Sequence, residues 1–152
     1  MLEKEISSLV GEVWMLNYKL VWLVEGRVLH LELAGEYDLE TTRQVIPALK
    51  KMVDEGTAPV HVVWDMRGIT KIPKDIRGPI DEMSVLRYHP NGGWITMITN
   101  NVMLRFAGQI ATRFLGANFR AVATFDDAIE TICRVDPGVA EALKQAVPSS
   151  HA

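Results

Sequence analysis

An α/β fold built on a mixed, mostly parallel sheet of about five strands follows from three features of the chain. Two β-rich runs near the start read as an antiparallel edge hairpin, later apolar runs are too continuous to be half exposed, and amphipathic stretches separate them. Strands that alternate with helices favour parallel pairing through right-handed crossovers.

The hairpin comprises Tyr18–Val24 and Val28–Leu33, joined by Glu25-Gly26-Arg27. Leu29, Leu31 and Leu33 alternate with Val28, His30 and Glu32, the period of a strand with one buried face and one wetter face. His30 falls on the wetter face, where packing is the expected role. In the first run Tyr18, Leu20, Trp22 and Val24 share one face, and Lys19, Val21 and Leu23 the other. Both faces carry apolar residues, so burying both calls for a second copy or an N-terminal arm, and a homodimer is expected. Residues 1–12 form that arm, with Leu2, Ile6, Leu9, Val10 and Val13 at helical spacing.

Asp38 is placed to cap a helix running through Glu55, with Val45, Leu49, Met52 and Val53 as its apolar stripe and Gly56 as its stop. Pro47 inside this pattern predicts a lost backbone hydrogen bond with a bend, or a later helix start. Val60–Asp65 reads as a central strand, followed by strands at Trp94–Thr99 and Arg120–Thr124. Between the last two lies a helix over Val102–Leu115, in which Met103, Phe106, Ala107, Ile110, Ala111 and Phe114 recur at helical spacing and Gly116 ends the run. Thr124 and Asp127 have capping-box spacing before Ala128–Arg134, with Ile129, Ile132 and Cys133 turned inward. Asp136-Pro137 opens a last helix to about Ala146, and 148–152 forms a tail. With no repeat or linker, one domain over 1–152 is expected.

Composition narrows the function. Apolar residues make up 48% of the 152 and charged residues 23%, a globular balance. A net charge of −3 argues against a nucleic-acid-binding surface. No run of 18 apolar residues occurs, so no membrane span is expected. The lone cysteine, Cys133, excludes a disulfide framework and suits a reducing cytoplasm.

No catalytic constellation emerges. Gly92-Gly93 precedes a strand and not a helix, so it is no phosphate cradle. His30, His61, His89 and His151 lack metal-ligand spacing, and His61, between Val60 and Val62, reads as a satisfied structural histidine. Acidic pairs such as Asp126-Asp127 suit helix starts. The expectation is a protein that is not an enzyme and uses no metal or cofactor.

The informative stretch follows the central strand, from Asp65 to Gly78, with Pro79 expected as the first helical residue and Gly78 or Asp75 as its cap. A connection of about a dozen residues is longer than most in such folds, and it leaves the carboxyl ends of the parallel strands, where open sheets bind ligands and partners. Arg67, Lys71, Lys74, Asp75 and Arg77 are its candidate partner-binding residues.

The hairpin, the strand and turn Val60-His61-Val62-Val63-Trp64-Asp65-Met66-Arg67-Gly68-Ile69-Thr70, and the stretch Ala121-Val122-Ala123-Thr124-Phe125-Asp126-Asp127-Ala128-Ile129 together resemble the anti-sigma-factor-antagonist fold, the STAS or SpoIIAA-like domain. The likeness spans roughly Val13 to Arg134 and extends to the broader group allied to Sec14-type lipid-binding domains. It implies a non-enzymatic regulatory module with a protein partner such as a regulatory kinase or sigma-regulatory protein. Switching members of that family carry Asp-Ser-Ser-Gly after this strand, with its first serine phosphorylated. The matching positions fall near Pro73, Lys74, Asp75 and Ile76, where no serine stands, so the usual phospho-switch is not expected. Asp75 offers one negative charge against the ~1.5–2 of a phosphate. The Sec14-like alternative is a lipid or small apolar ligand held by Met97, Met103, Phe106 and Ile110.

Overall fold

The computed structural model describes residues 17–72 and 74–147. The arm at 1–12, Pro73 and the tail at 148–152 lie outside the described residues. Along the chain run β1 (Tyr18–Val24), β2 (Val28–Glu36), α1 (Leu39–Glu55), β3 (Val60–Lys71) and α2 (Arg77–Glu82), which continues into a 3-10 turn (Met83–Leu86). They are followed by β4 (Gly92–Ile98), α3 (Val102–Leu115), β5 (Asn118–Val122), α4 (Phe125–Val135) and α5 (Pro137–Ala146). The strands lie side by side in chain order, with β1 antiparallel to β2 and every later pair parallel.

The helices divide between the two faces of the sheet. On one face Val45, Leu49 and Val53 of α1, Met83, and Leu104, Ala111 and Leu115 of α3 bury Leu29, Leu31, Trp64 and Met97. On the other, Ala128 and Ile132 of α4 and Val139 and Leu143 of α5 bury Val28, Val63 and Ile98. Local chemistry starts these helices where expected. The Asp38 carboxylate accepts the Thr41 N–H at 2.8 Å, and the Thr124 hydroxyl accepts the Asp127 N–H at 3.0 Å. Pro137 takes the first position of α5, where a missing N–H is harmless. Gly116 closes α3 at φ +70°, a conformation costly for any residue with a Cβ.

Several expectations are corrected. β3 does not stop at Asp65: it runs to Lys71 because β2 itself continues to Glu36 and offers partners, pairing Ala34 with Gly68, Gly35 with Ile69 and Glu36 with Lys71. Gly68 permits this, since a Cβ there would lie 2.8 Å from the Leu33 carbonyl oxygen. The long connection thus shrinks to a few residues. Helix α2 begins at Arg77, so Pro79 is its third residue, and neither Gly78 nor Asp75 is its cap. Pro47 neither delays nor interrupts α1; it sits on the exposed side of a helix that starts at Leu39. β5 spans Asn118–Val122, two residues earlier than its apolar run suggested. Cys133 is half-buried and packs against the edge of the second core, so it turns inward as expected without being fully enclosed.

Strand β1 is partly covered by the domain itself, with Val21 left 37% exposed. Tyr18, Leu20 and Trp22 pack into the first core, while Leu23 and Val24 pack into the second, where α5 lies against the strand. A register shift between Trp22 and Val24 carries Val24 to the opposite face from the one its spacing implied.

Candidate functional site

The extended ends of β2 and β3 and the start of α2 form one rim of the sheet, and the five charged candidates line it. Arg67 follows Asp65 by two places in the strand, so both side chains lie on one face, and its guanidinium grips the buried carboxylate in a fork of 2.9 and 2.7 Å. Burial alone would raise the Asp65 carboxyl. The hydrogen bonds from Arg67, with His30 contributing, outweigh it and hold the group well below the usual carboxylate range. Arg77 repeats the fork on Asp75 at 3.1 and 3.0 Å, fully in solvent. Lys71 stands 3.9 Å from Glu36, and Lys74 makes no ion pair among the described residues. The set therefore comes together as an exposed row in which most charges already have a local partner. Asp75 in particular is no free phosphate mimic, because Arg77 neutralises it.

His30 departs from its expected wet environment. Its ring is only 12% exposed, lies 5.0 Å from the Phe125 ring, and places Nε2 3.6 Å from both Glu32 and Asp65. The three side chains could supply one nitrogen and two oxygen ligands within 4.8 Å of one another. A cation there would have to displace the Arg67 guanidinium from Asp65, so the trio reads first as part of that ion pair.

The apolar alternative divides. Met97 is buried and, with Trp64, Met66, Ile80, Met83 and Leu104, lines a cavity of about 60 Å³ between α2, α3 and the sheet. The buried Trp64 indole N–H has no acceptor among the described residues. Met103, Phe106 and Ile110 do not reach this cavity: they stand in solvent at 62, 58 and 39% exposure. Leu104, Gly108, Ala111, Thr112 and Leu115 face inward instead. Gly108 sets the choice, because a Cβ there would meet Met97 Cε at 2.7 Å and Phe119 Cζ at 2.9 Å. Only that side of the helix can approach so closely.

Sequence reasoning missed the tightest polar cluster, at the opposite rim. His61, 2% exposed, accepts the Trp94 N–H on Nδ1 at 3.0 Å, so Nε2 carries the proton and donates it to Asp136 at 2.8 Å. Arg27 grips the same carboxylate at 2.6 Å. The His61 hydrogen bond, opposed by burial and aided by the Arg27 charge, lowers the Asp136 carboxyl. Gly93 has its reason here: a Cβ would lie 2.6 Å from His61 Nδ1. The structural role expected for His61 is thus given its partners, and the only signal in the sequence was a histidine inside an apolar strand.

The arrangement is comparable to solved structures. An uncharacterized protein of the DUF3478 family with a SpoIIAA-like fold, from Shewanella loihica PV-4, superposes with a TM-score of 0.56 at 13% identity, over 76% of this chain and 92% of that one. This chain has the SpoIIAA-like fold. The anti-sigma factor antagonist SpoIIAA in its unphosphorylated form matches with a TM-score of 0.51 at 15% identity, over 79% of this chain and 96% of that one. No family model and no curated protein matches the sequence. In the SpoIIAA-like domain formed by this chain, the rim from Asp65 to Arg77 is the end of the third strand and the start of the following helix, and no helix among the described residues is long and apolar enough to cross a membrane.

Proposed function

We propose that this SpoIIAA-like domain is a non-enzymatic, cytoplasmic regulatory module that docks a protein partner through Arg67, Lys71, Lys74, Asp75 and Arg77, without a serine phospho-switch. The observation that carries the reading is the exposed row itself, with Lys71, Asp75 and Arg77 side chains 73, 61 and 85% exposed along one rim. A partner surface with alternating charge, such as that of a regulatory kinase or a sigma-regulatory protein, would exchange the exposed Lys71–Glu36 and Arg77–Asp75 pairs for intermolecular ones at little cost, while Arg67 keeps its hold on the buried Asp65. Pull-down with the natural chain and with Lys74→Glu plus Arg77→Glu tests it. The double variant should lose the partner while melting within about 0.5 kcal/mol of the natural chain; equal recovery of every partner by both forms discards the proposal.

A second reading is favoured by the cavity beneath α2 and α3. An apolar space with one unsatisfied indole donor suits a small apolar molecule carrying one hydrogen-bond acceptor. At about 60 Å³ it is far below the roughly 300 Å³ of an ordinary ligand pocket, so a lipid would require α2 to move. Native mass spectrometry decides: no co-purifying mass and no added small apolar ligand retained would remove this reading.

A further inference from the structure

The imidazole of His30 is held just short of its neighbours. Its Nε2 is buried without a hydrogen-bond partner among the described residues, because the Glu32 and Asp65 carboxylates that it faces stand at 3.6 Å, too far for a good bond. Strand geometry makes this convergence. His30 and Glu32 are two places apart on β2 and so share a face, and Asp65 stands opposite Glu32 in the parallel pairing with β3. The Phe125 ring at the start of α4, 5.0 Å away, packs against the imidazole and restricts its orientation. A buried polar atom without a partner costs free energy, and here it lies between two negative groups that share one guanidinium, that of Arg67.

We propose that His30, Glu32 and Asp65 form a site for a divalent transition-metal ion, Zn²⁺ above all, which takes the place of the Arg67 guanidinium on Asp65. The three ligand atoms lie within 4.8 Å of one another, and two of their separations are 3.6 Å. Metal–ligand bonds of about 2.0–2.2 Å at tetrahedral angles put neighbouring ligand atoms roughly 3.4 Å apart, so a modest closing of the two carboxylates completes the set. One imidazole nitrogen with two carboxylate oxygens suits zinc and its neighbours, whereas Mg²⁺ and Ca²⁺ favour oxygen alone. The ion has a way in, since Glu32 is 34% exposed and an open hollow lined by Glu32, Asp65, Arg67 and Gly68 adjoins the carboxylates. Arg67 is the competitor built into the site. Its side chain is 49% exposed, so a guanidinium displaced from Asp65 turns to water and disturbs no core packing. Without metal the arginine keeps the buried carboxylate paired; with metal the ion does. The exchange is independent of any partner on the rim. Spacing along the chain concealed the set, because Asp65 joins the other two only through strand pairing.

Isothermal titration of the full chain with Zn²⁺, with the visible spectrum of added Co²⁺ as a second probe, tests the site. One ion should bind per chain, and Glu32→Gln and, separately, His30→Gln should each weaken it at least roughly tenfold. Glu32→Gln alters a partly exposed side chain and should leave the fold intact, so its loss of affinity reports the site itself. Arg67→Gln should tighten Zn²⁺ binding about tenfold, because the ion no longer has to break the guanidinium fork. His89→Gln, which removes the histidine paired with Asp54 elsewhere on the surface, should leave binding unchanged. The proposal is overturned by no saturable binding of either ion, or by affinity indifferent to Glu32→Gln and His30→Gln. Loss of binding in His89→Gln would place the ion elsewhere and equally refute it. Weaker binding in Arg67→Gln would make the arginine a support of the site, which the exchange does not allow.

Discussion

On the face covered by α4 and α5, the apolar side chains of the helices are spent on the sheet: Ala128 and Ile132 are fully buried, and Leu143 with them. On the face covered by α1–α3, the sheet is just as well buried, yet α3 leaves a cavity of about 60 Å³ beneath it and turns Met103 and Phe106 to water. Both α3, which crosses from β4 to β5, and α4, which follows the last strand, are amphipathic helices of ordinary length. Charge explains the difference, because α4 has an outward set of Asp126, Asp127, Glu130 and Arg134 that permits only one face to be buried, whereas α3 has apolar or small residues around most of its circumference. Both faces hold the sheet, but only the α1–α3 face also leaves apolar side chains exposed on the outer side of a helix.

Substitution separates the two faces, and Ile132→Ala is the severest probe. It should cost about 2–5 kcal/mol in urea unfolding, whereas Phe106→Ala should change stability by less than about 0.5. Equal losses would mean that the outer strip of α3 is packed as firmly as the inner face of α4. Asp136→Asn comes next, at about 1–3 kcal/mol near pH 7, because it weakens the bonds from His61 and Arg27 that fasten α5 to β3. The Asp136 carboxyl is lowered in the folded state. Its contribution is therefore present above the unfolded value of about 3.9 and lost as pH falls through the lower folded one, so melting curves of variant and natural chain should begin to approach each other only as the pH drops below about 4.

Gly108→Ala should be milder. The new methyl strikes the flexible end of Met97 and the Phe119 ring, and the better helix propensity of alanine offsets part of that, leaving a net loss of about 1 kcal/mol by thermal melting. The smallest effect is a gain. Ala107→Met extends a pliable side chain into the cavity and should raise stability by about 0.5 kcal/mol. A loss on that substitution would show that the space cannot take the longer side chain without strain.

Much was legible because local chemistry reports local structure. Asp38, Thr124, Pro137 and Gly116 start or stop helices through their own backbones, and the alternation of Val28–Leu33 identifies which leucines enter the core. The same period misled on α3, since helical spacing defines a stripe but cannot choose between two apolar stripes on one helix. The rim was placed correctly by topology, but its loop was drawn too long, because strand pairing is decided by the neighbour: Gly68 to Lys71 are strand only where β2 extends alongside them.

The chain's alternation of apolar runs, capping residues and turn glycines settled the order of elements and the parallel sheet, since each of those signals acts within a few residues. Which side of α3 meets the sheet, how His61 finds Asp136 across 75 positions, and whether Asp65 stands free or gripped by Arg67 were decided only when the strands were laid side by side. Packing and charge pairing are properties of neighbours in space, and no spacing along the chain records them.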